Sequence, residues 1–301
     1  MLNKTITVLT PCYNEVENVE PLFKAIQKEI SAVGGITYVH LFIDNASSDG
    51  TQDKLRELAS KYKHIQVILN NRNFGPIRSM MHALMQTSSD AVIHMVSDLQ
   101  DPPELIRDFI AKWKEGYKVV LGVKKKSADS FIMSLTRSFY YYLINRLSDT
   151  EQIKHFTGFG LYDKKIIDLI REMDDPYPYF RGLISELGFE TAQIKYIQPP
   201  RKKGVTKNNF YSLYEMAILG LTSHSKVPLR LATFSGFVIS FFSLLVGLGY
   251  FIYKLIFWDR FELGMAPLVI GIFFLASVQL FFIGIIGEYV GSIYTQVLKR
   301  P

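Results

Sequence analysis

At 301 residues, 48% hydrophobic and 14% aromatic, the chain has enough apolar surface for more than one folded unit with its own core. A net charge of +6 points to phosphate-bearing substrates or an anionic membrane surface, and the apolar C-terminus favours these over nucleic acid. The single cysteine, Cys12, excludes an intrachain disulfide and fits a small core residue in a reducing compartment.

Met1 to Lys4 lacks the charged-then-apolar pattern of a secretory signal, which places the chemistry on the cytoplasmic side. Ile6 to Leu9 predicts a short strand, ended by Thr10-Pro11-Cys12-Tyr13-Asn14-Glu15, where proline and asparagine make a turn. An amphipathic helix from about Glu17 to Val33 follows and stops at Gly34-Gly35. Val39 to Ile43 is the next strand, running into Asp44-Asn45-Ala46-Ser47-Ser48-Asp49-Gly50-Thr51. An acid at such a strand end can accept hydrogen bonds from ribose hydroxyls or a base N–H. The segment also reads as a turn and helix cap built from Ser48, Asp49 and Gly50, and the two roles are compatible. A helix from about Gln52 to Tyr62, a strand from Ile65 to Leu69 and a loop from Asn70 to Arg78 come next. Gly75 in that loop suits a positive-φ backbone near a ligand. A helix through His82 to Met85 completes an alternation typical of a parallel sheet covered on both faces.

The apolar run Ala91 to Val96 predicts a buried strand, closed by the oxygen-rich stretch Ser97-Asp98-Leu99-Gln100-Asp101-Pro102-Pro103-Glu104. Ligands bind beyond the carboxyl ends of strands in such sheets. A carboxylate cluster there suits a hard divalent cation holding phosphates. Asp101 and Glu104 have a second reading, as acids that start the helix after the proline pair. That helix spans about Leu105 to Trp113, with a strand from Lys118 to Val123 and the run Lys124-Lys125-Lys126 behind it. An aromatic-rich helix, Phe131 to Leu147, embeds Arg137.

Three of these stretches, Thr10 to Glu15, Asp44 to Thr51 and Asp98 to Glu104, together resemble the signatures of family 2 glycosyltransferases with the GT-A fold. More narrowly, the chain resembles polyprenyl-phosphate glycosyltransferases: bactoprenol glucosyltransferases and, more distantly, dolichyl-phosphate mannose synthases. The resemblance covers nearly the whole chain. It implies an α/β, Rossmann-like nucleotide-diphospho-sugar transferase domain with Pro11, Tyr13, Glu15 and Asp44 lining the nucleoside pocket. The strand-end motif of such enzymes reads Asp-x-Asp-x-Gln. Here Val96 takes the first place, while Asp98 and Gln100 are kept. One carboxylate and one amide can still hold Mg²⁺ or Mn²⁺ when the diphosphate and waters fill the other positions. Without donor, metal affinity should be weaker. In related synthases basic residues matching Lys124 and Arg137 grip the acceptor phosphate, arginine through a bidentate fork and lysine as a point charge.

The stretch His155 to Asp163 is a second departure. Bactoprenol glucosyltransferases carry an aspartate, proposed as catalytic base, at the position matching Gly158, and Asp163 matches a structural position instead. A lipid phosphate is already ionised near neutral pH, so its attack needs no base. Metal and cationic side chains can neutralise the departing diphosphate. Tyr177 to Ile184 reads either as a membrane-surface segment or as packing against the domain. Arg201-Lys202-Lys203-Gly204-Val205-Thr206-Lys207 resembles the family's Arg-x-x-Gly-x-Ser-Lys loop, which implies Arg201 and Lys207 as partners of the diphosphate. It also reads as a basic juxtamembrane patch.

Residues 208–230 read as amphipathic interfacial helices. Two apolar spans follow, about 231–256 and 268–290, joined by the polar turn Trp258 to Glu262. Lys226 and Arg230 precede the first, and Lys299 and Arg300 follow the second, so both ends face the cytoplasm, with Glu288 at the inner interface. The expected organisation is a cytoplasmic catalytic domain at 1–207, juxtamembrane helices at 208–230 and a plasma-membrane hairpin with a short tail at 231–301. The expected chemistry moves one sugar, with inversion, from a nucleotide donor (UDP-linked) to undecaprenyl or a similar polyprenyl phosphate for cell-envelope glycans. Asp98, Arg137, Arg201 and Lys207 are its catalytic set, and the resemblance is compatible with a homo-oligomer. A GDP-mannose-dependent mannose synthase and a catalytically silent nucleotide-sugar-binding tether are the alternatives. A processive synthase is set aside, because neither Trp113 nor Trp258 follows an arginine.

Overall fold

A computed structural model describes residues 4–125, 153, 155–199, 215, 218–220, 222–223, 225–257 and 265–298. Its strands are β1 (Lys4–Cys12), β2 (Ile36–Asp44), β3 (Ile65–Leu69), β4 (Ala91–His94), β5 (Val119–Lys124), β6 (Phe156–Asp163) and β7 (Thr191–Tyr196). They form one sheet in the order β3-β2-β1-β4-β6-β5-β7. β1 pairs in parallel with both β2 and β4, and β2 pairs in parallel with β3. Both faces are buried along β1, where Ile6 and Val8 point one way and Thr7 and Leu9 the other. Such double-sided burial is what a strand covered by helices on each face requires.

The helices divide by their apolar stripes. Helices α1 (Val16–Ser31), α2 (Thr51–Lys61) and α4 (Leu105–Lys114) cover one face through Leu22, Ile26, Leu55, Phe109 and Trp113. Helices α3 (Pro76–Met85), α5 (Lys164–Met173) and α6 (Phe180–Glu186) cover the other through Met81, Leu84, Ile167, Ile170 and Phe180. Cys12 is buried in the α1–α2 cluster, as a small core residue.

The sheet departs from the expected parallel pattern at β6, which runs antiparallel to both β4 and β5. Gly158 and Gly160 lie inside β6, and glycine weakens the sequence signal of a strand. The reversal carries Asp163 to the opposite edge of the sheet. There its Oδ1 accepts the Lys165 N–H at 3.0 Å and caps α5, while its Oδ2 accepts from Trp113 Nε1 at 2.7 Å and Lys118 Nζ at 3.1 Å. Asp163 is thus structural. The Tyr177–Ile184 segment packs for the most part: Tyr179, Phe180, Leu183 and Ile184 are buried.

Helix α7 (Val227–Ile256) starts four residues before the expected first span and ends with it, and α8 (Met265–Leu298) runs past both ends of the second. At 30 and 34 residues they are about 45 and about 51 Å long, more than a bilayer core needs. Phe234, Phe237, Phe273 and Phe281 are each more than 60% exposed, which in water would be a large unsatisfied apolar surface. Tyr289 donates to the Ser225 carbonyl at 2.6 Å and ties α8 to the entry of α7. The turn 258–264 and residues Lys299 and Arg300 lie outside the described residues.

His40 sets an acid limit on the stability of the sheet. Its ring is fully buried, stacks on Phe42 at 3.8 Å and sits 3.1 Å from Thr10 Oγ1 through Nε2. Burial, with a lesser contribution from His64, lowers its pKa from 6.5 to about 3. The unfolded chain therefore takes up the proton first. Stability is full above about pH 6.5 and falls as pH drops toward 3, by up to about 1.4 kcal/mol per pH unit. Thermal unfolding in detergent should show a smaller loss of Tm between about pH 7 and about pH 5 in His40→Gln than in the parent chain.

Candidate functional site at the strand carboxyl ends

Because β1 is parallel to both its neighbours, the carboxyl ends of β2, β1 and β4 open side by side on one edge. Each of the three following loops contains a non-glycine residue in the left-handed region: Asn14 (φ 54°), Ala46 (φ 61°) and Leu99 (φ 59°). Alanine and leucine gain nothing locally from that conformation, which costs roughly 1–3 kcal/mol where the surroundings impose it. Strain of this kind clusters at functional edges.

The β1 and β2 loops are laced together. The Asn14 N–H donates to Ser47 Oγ at 2.8 Å, the Ser48 N–H to Asn14 Oδ1 at 2.8 Å, and the Glu15 N–H to Thr51 Oγ1 at 2.9 Å. Asp49 accepts from the Val16 N–H at 3.2 Å and the Thr51 N–H at 3.0 Å, so it does form the expected turn. Pro11 and Tyr13 are half-buried here, and buried Glu15 accepts from Asn18 Nδ2 at 2.6 Å.

Asp44 ends β2 and is fully buried. Its Oδ2 accepts from the Ser47 N–H at 2.9 Å and from Gln52 Nε2 at 2.8 Å. Its Oδ1 is equally buried but has no hydrogen-bond partner among the described residues. Leaving a buried acceptor unmet costs about 1–3 kcal/mol, and more for a charged one. The oxygen is therefore poised for a donor that arrives with a ligand. Buried Asn45 next to it gives its Nδ2 to Asn73 Oδ1 at 2.8 Å and accepts from Asn70 Nδ2 (3.2 Å) and the Phe74 N–H (2.9 Å). This fixes the Asn70–Gly75 loop, where Gly75 has the expected positive φ of 83°. A cavity of about 520 Å³ opens behind the loop between α3 and α5, but none of Asp44, Asp98 or Gln100 lines it.

At the end of β4, Asp98 and Gln100 are half-buried, and Asp98 Oδ1 accepts the Gln100 N–H at 3.1 Å. Among the described residues no group of three or more His, Cys, Asp or Glu side chains converges as a metal cage. Two hard oxygen donors remain, enough for a cation whose other positions are filled by phosphate and water. Asp101 is neither a surface acid nor the first residue of α4. It is buried, and burial in the main pushes its carboxyl up to about 6, against hydrogen bonds from Val96 and Tyr196 and the charge of Lys124. Lys124 ends β5 with its N–H on the His155 carbonyl at 3.3 Å.

Gly158 adopts φ 101°, and its carbonyl accepts from His94 Nδ1 at 3.1 Å and the Tyr162 O–H at 2.6 Å. The structure thus brings Pro11, Tyr13, Glu15 and Asp44 to one side of the edge and Asp98 and Gln100 to the β4 end, with Lys124 at the end of β5. Arg137, Arg201 and Lys207 lie outside the described residues. Gln52, Asn45 and Tyr196 are the partners that sequence reasoning missed. Only Gln52 had a local cue, eight residues after the acid it orients, at the start of α2.

The profile of glycosyl transferase family 2 matches residues 7–170, and that of the GtrB C-terminal hairpin matches residues 227–293. An uncharacterized glycosyltransferase of Synechocystis sp. is 31% identical over 297 residues, 98% of this chain and 93% of the relative. The SfII prophage-derived bactoprenol glucosyl transferase of Shigella flexneri is 31% identical over 297 residues, 98% of this chain and 96% of the relative. Mannosyl-3-phosphoglycerate synthase from Rubrobacter xylanophilus, a solved structure, shares the fold with a TM-score of 0.52 at 17% identity, over 72% of each chain.

The backbone at Gly158 predicts the outcome of placing an acid there. A Cβ would meet His94 Nδ1 at 3.5 Å, an ordinary contact, but the φ of 101° is strained for any side chain. Gly158→Asp should lower stability by roughly 1–3 kcal/mol in chemical unfolding and leave turnover no higher.

Proposed function

Since the chain belongs to glycosyl transferase family 2, and is therefore a glycosyltransferase, we propose that it transfers one sugar from a UDP-linked donor to a polyprenyl phosphate. The observation that carries the donor half is the unmet buried oxygen of Asp44, at the loop pair holding Pro11, Tyr13 and Glu15. A ribose hydroxyl or a base N–H supplies the missing donor. The acceptor half is supported by the full-length likeness to a bactoprenol glucosyl transferase and by the hairpin of α7 and α8, which associates the chain with a membrane. In this reading residues 1–207 form a cytoplasmic catalytic domain, 208–230 lie at the interface, and 231–301 form a two-span hairpin in the plasma membrane.

An ionised oxygen of the lipid phosphate attacks the anomeric carbon. The bond from that carbon to the nucleoside diphosphate breaks with inversion, and the diphosphate leaves with the electron pair. No proton has to be removed from the nucleophile, so a glycine at 158 is tolerable. Asp98 and Gln100 would hold Mg²⁺ or Mn²⁺ against the donor diphosphate. When bound, the cation supplies charge neutralisation to the leaving group. Arg201 and Lys207 pair with the same diphosphate, and Arg137 with Lys124 seats the acceptor phosphate.

The test is a product assay in detergent with polyprenyl phosphate, Mg²⁺ or Mn²⁺ and a panel of UDP- and GDP-sugars, read by mass spectrometry. One UDP-sugar should yield a polyprenyl-phosphate monosaccharide, and Asp98→Ala should abolish it. Asp44→Ala should weaken UDP binding by about 10-fold or more, the order expected when a charged hydrogen bond is lost. Product from GDP-mannose alone would replace the donor assignment. UDP binding without product from any donor would make the chain a silent tether.

A further inference from the structure

Asp101 is 3% exposed, yet it follows directly on Gln100 and stands three residues from Asp98. Its Oδ2 accepts the Val96 N–H at 3.3 Å, which folds the start of the 96–100 turn back on its end. Its Oδ1 accepts the Tyr196 O–H at 3.1 Å, which pins the turn to the last residue of β7. Within the turn, Leu99 is held in its left-handed conformation and Asp98 Oδ1 caps the Gln100 N–H.

The far side of this tie is equally built. The Tyr196 ring stands edge-on to Phe159, with centroids 5.6 Å apart and planes at 84°. Gly122 of β5 makes room for the pair, because a Cβ there would lie 2.6 Å from Phe159 Cδ1 and 3.3 Å from Tyr196 Cε1. Two residues on, Lys124 pairs in register with Tyr196, and its charge acts on Asp101. Burying a carboxylate is costly unless its hydrogen bonds are met. Here both oxygens are met, from opposite sides of one junction.

We propose that Asp101 is a positioning residue, locking the turn that bears Asp98 and Gln100 at a fixed separation from the β5–β7 end that bears Lys124. The inference rests on the reading of Asp98 and Gln100 as the residues that meet the donor diphosphate and its cation. Partners that orient such residues commonly matter almost as much as the residues themselves.

Tyr196→Phe removes one hydroxyl, and Asp101→Asn removes the charge while keeping the shape. In the full chain in detergent, both should retain metal-free UDP affinity, which is set at Asp44. The Mn²⁺ concentration for half-maximal UDP binding should rise about 10-fold, and kcat should fall about 10- to 100-fold. Donor KM at saturating Mn²⁺ should stay within about twofold, a split that general destabilisation would not produce. Amide exchange across residues 96–100 should accelerate in both variants. Unchanged exchange there, or wild-type Mn²⁺ dependence and kcat in both, would overturn the proposal. If Asp101→Asn fails to fold, Tyr196→Phe alone decides. If UDP binding by the parent chain ignores Mn²⁺, the diphosphate reading has failed, and the exchange rates still judge whether Asp101 locks the turn.

Discussion

Parallel pairing of β1 with both β2 and β4 is the constraint on which the chemistry depends. It aligns Cys12 with Asp44 and Leu9 with His94, so that three loops leave the sheet on the same edge within a few strand spacings. Those loops then fix one another by side-chain to backbone hydrogen bonds, from Ser47, Thr51 and Asp49 onto the backbone of residues 14–16. Had β1 lain at an edge, Asp44 and Asp98 would face different surroundings. The central strand needs residues that can be buried on both faces, and β1 supplies Ile6, Val8 and Leu9, with the Thr7 and Thr10 hydroxyls hydrogen-bonded to Ser89 and His40.

Three acids near strand ends show how hydrogen-bond satisfaction sorts roles more sharply than position in the sequence does. Asp163 is met by a backbone N–H, an indole and a lysine, and it caps a helix. Asp101 is met on both oxygens by the protein alone, and it holds two elements together. Asp44 is met on one oxygen and left open on the other. All three have the same carboxylate chemistry. Only the last carries an unpaid desolvation cost that a ligand can relieve, which makes it the strongest pointer to a bound nucleoside.

Much of this was legible because the determinants are local. The strand Ile65–Leu69, the acid at the end of β2 and the positive φ at Gly75 each follow from a few neighbouring residues. β6 was not legible, since two glycines dilute its signal and its direction is set by pairing with β4 and β5. Asp101 was read as a helix-starting acid or a ligand because its partner Tyr196 lies 95 positions away. The Asn45 network, joining the loops after β2 and β3, is hidden for the same reason. Asparagines are common in turns, and only the fold shows that these converge. The tyrosine-rich stretch after α5 had two readings, and burial of Tyr179 and Phe180 favours packing for most of it.

The two departures from the family pattern, Val96 and Gly158, share a physical feature. At Val96 the side chain offers no oxygen, but the backbone N–H is used, donated to Asp101. At Gly158 there is no side chain, but the carbonyl is used twice, by His94 and by Tyr162. Both positions are thus held by main-chain bonds, and at Gly158 by a φ of 101° that favours glycine, so neither needs an acidic side chain to keep the strand ends in place. What is lost is negative charge beside the β4 end. For a site proposed to receive a diphosphate and a phosphate, each missing carboxylate removes a repulsion, and at Val96 it also removes an oxygen ligand from the cation.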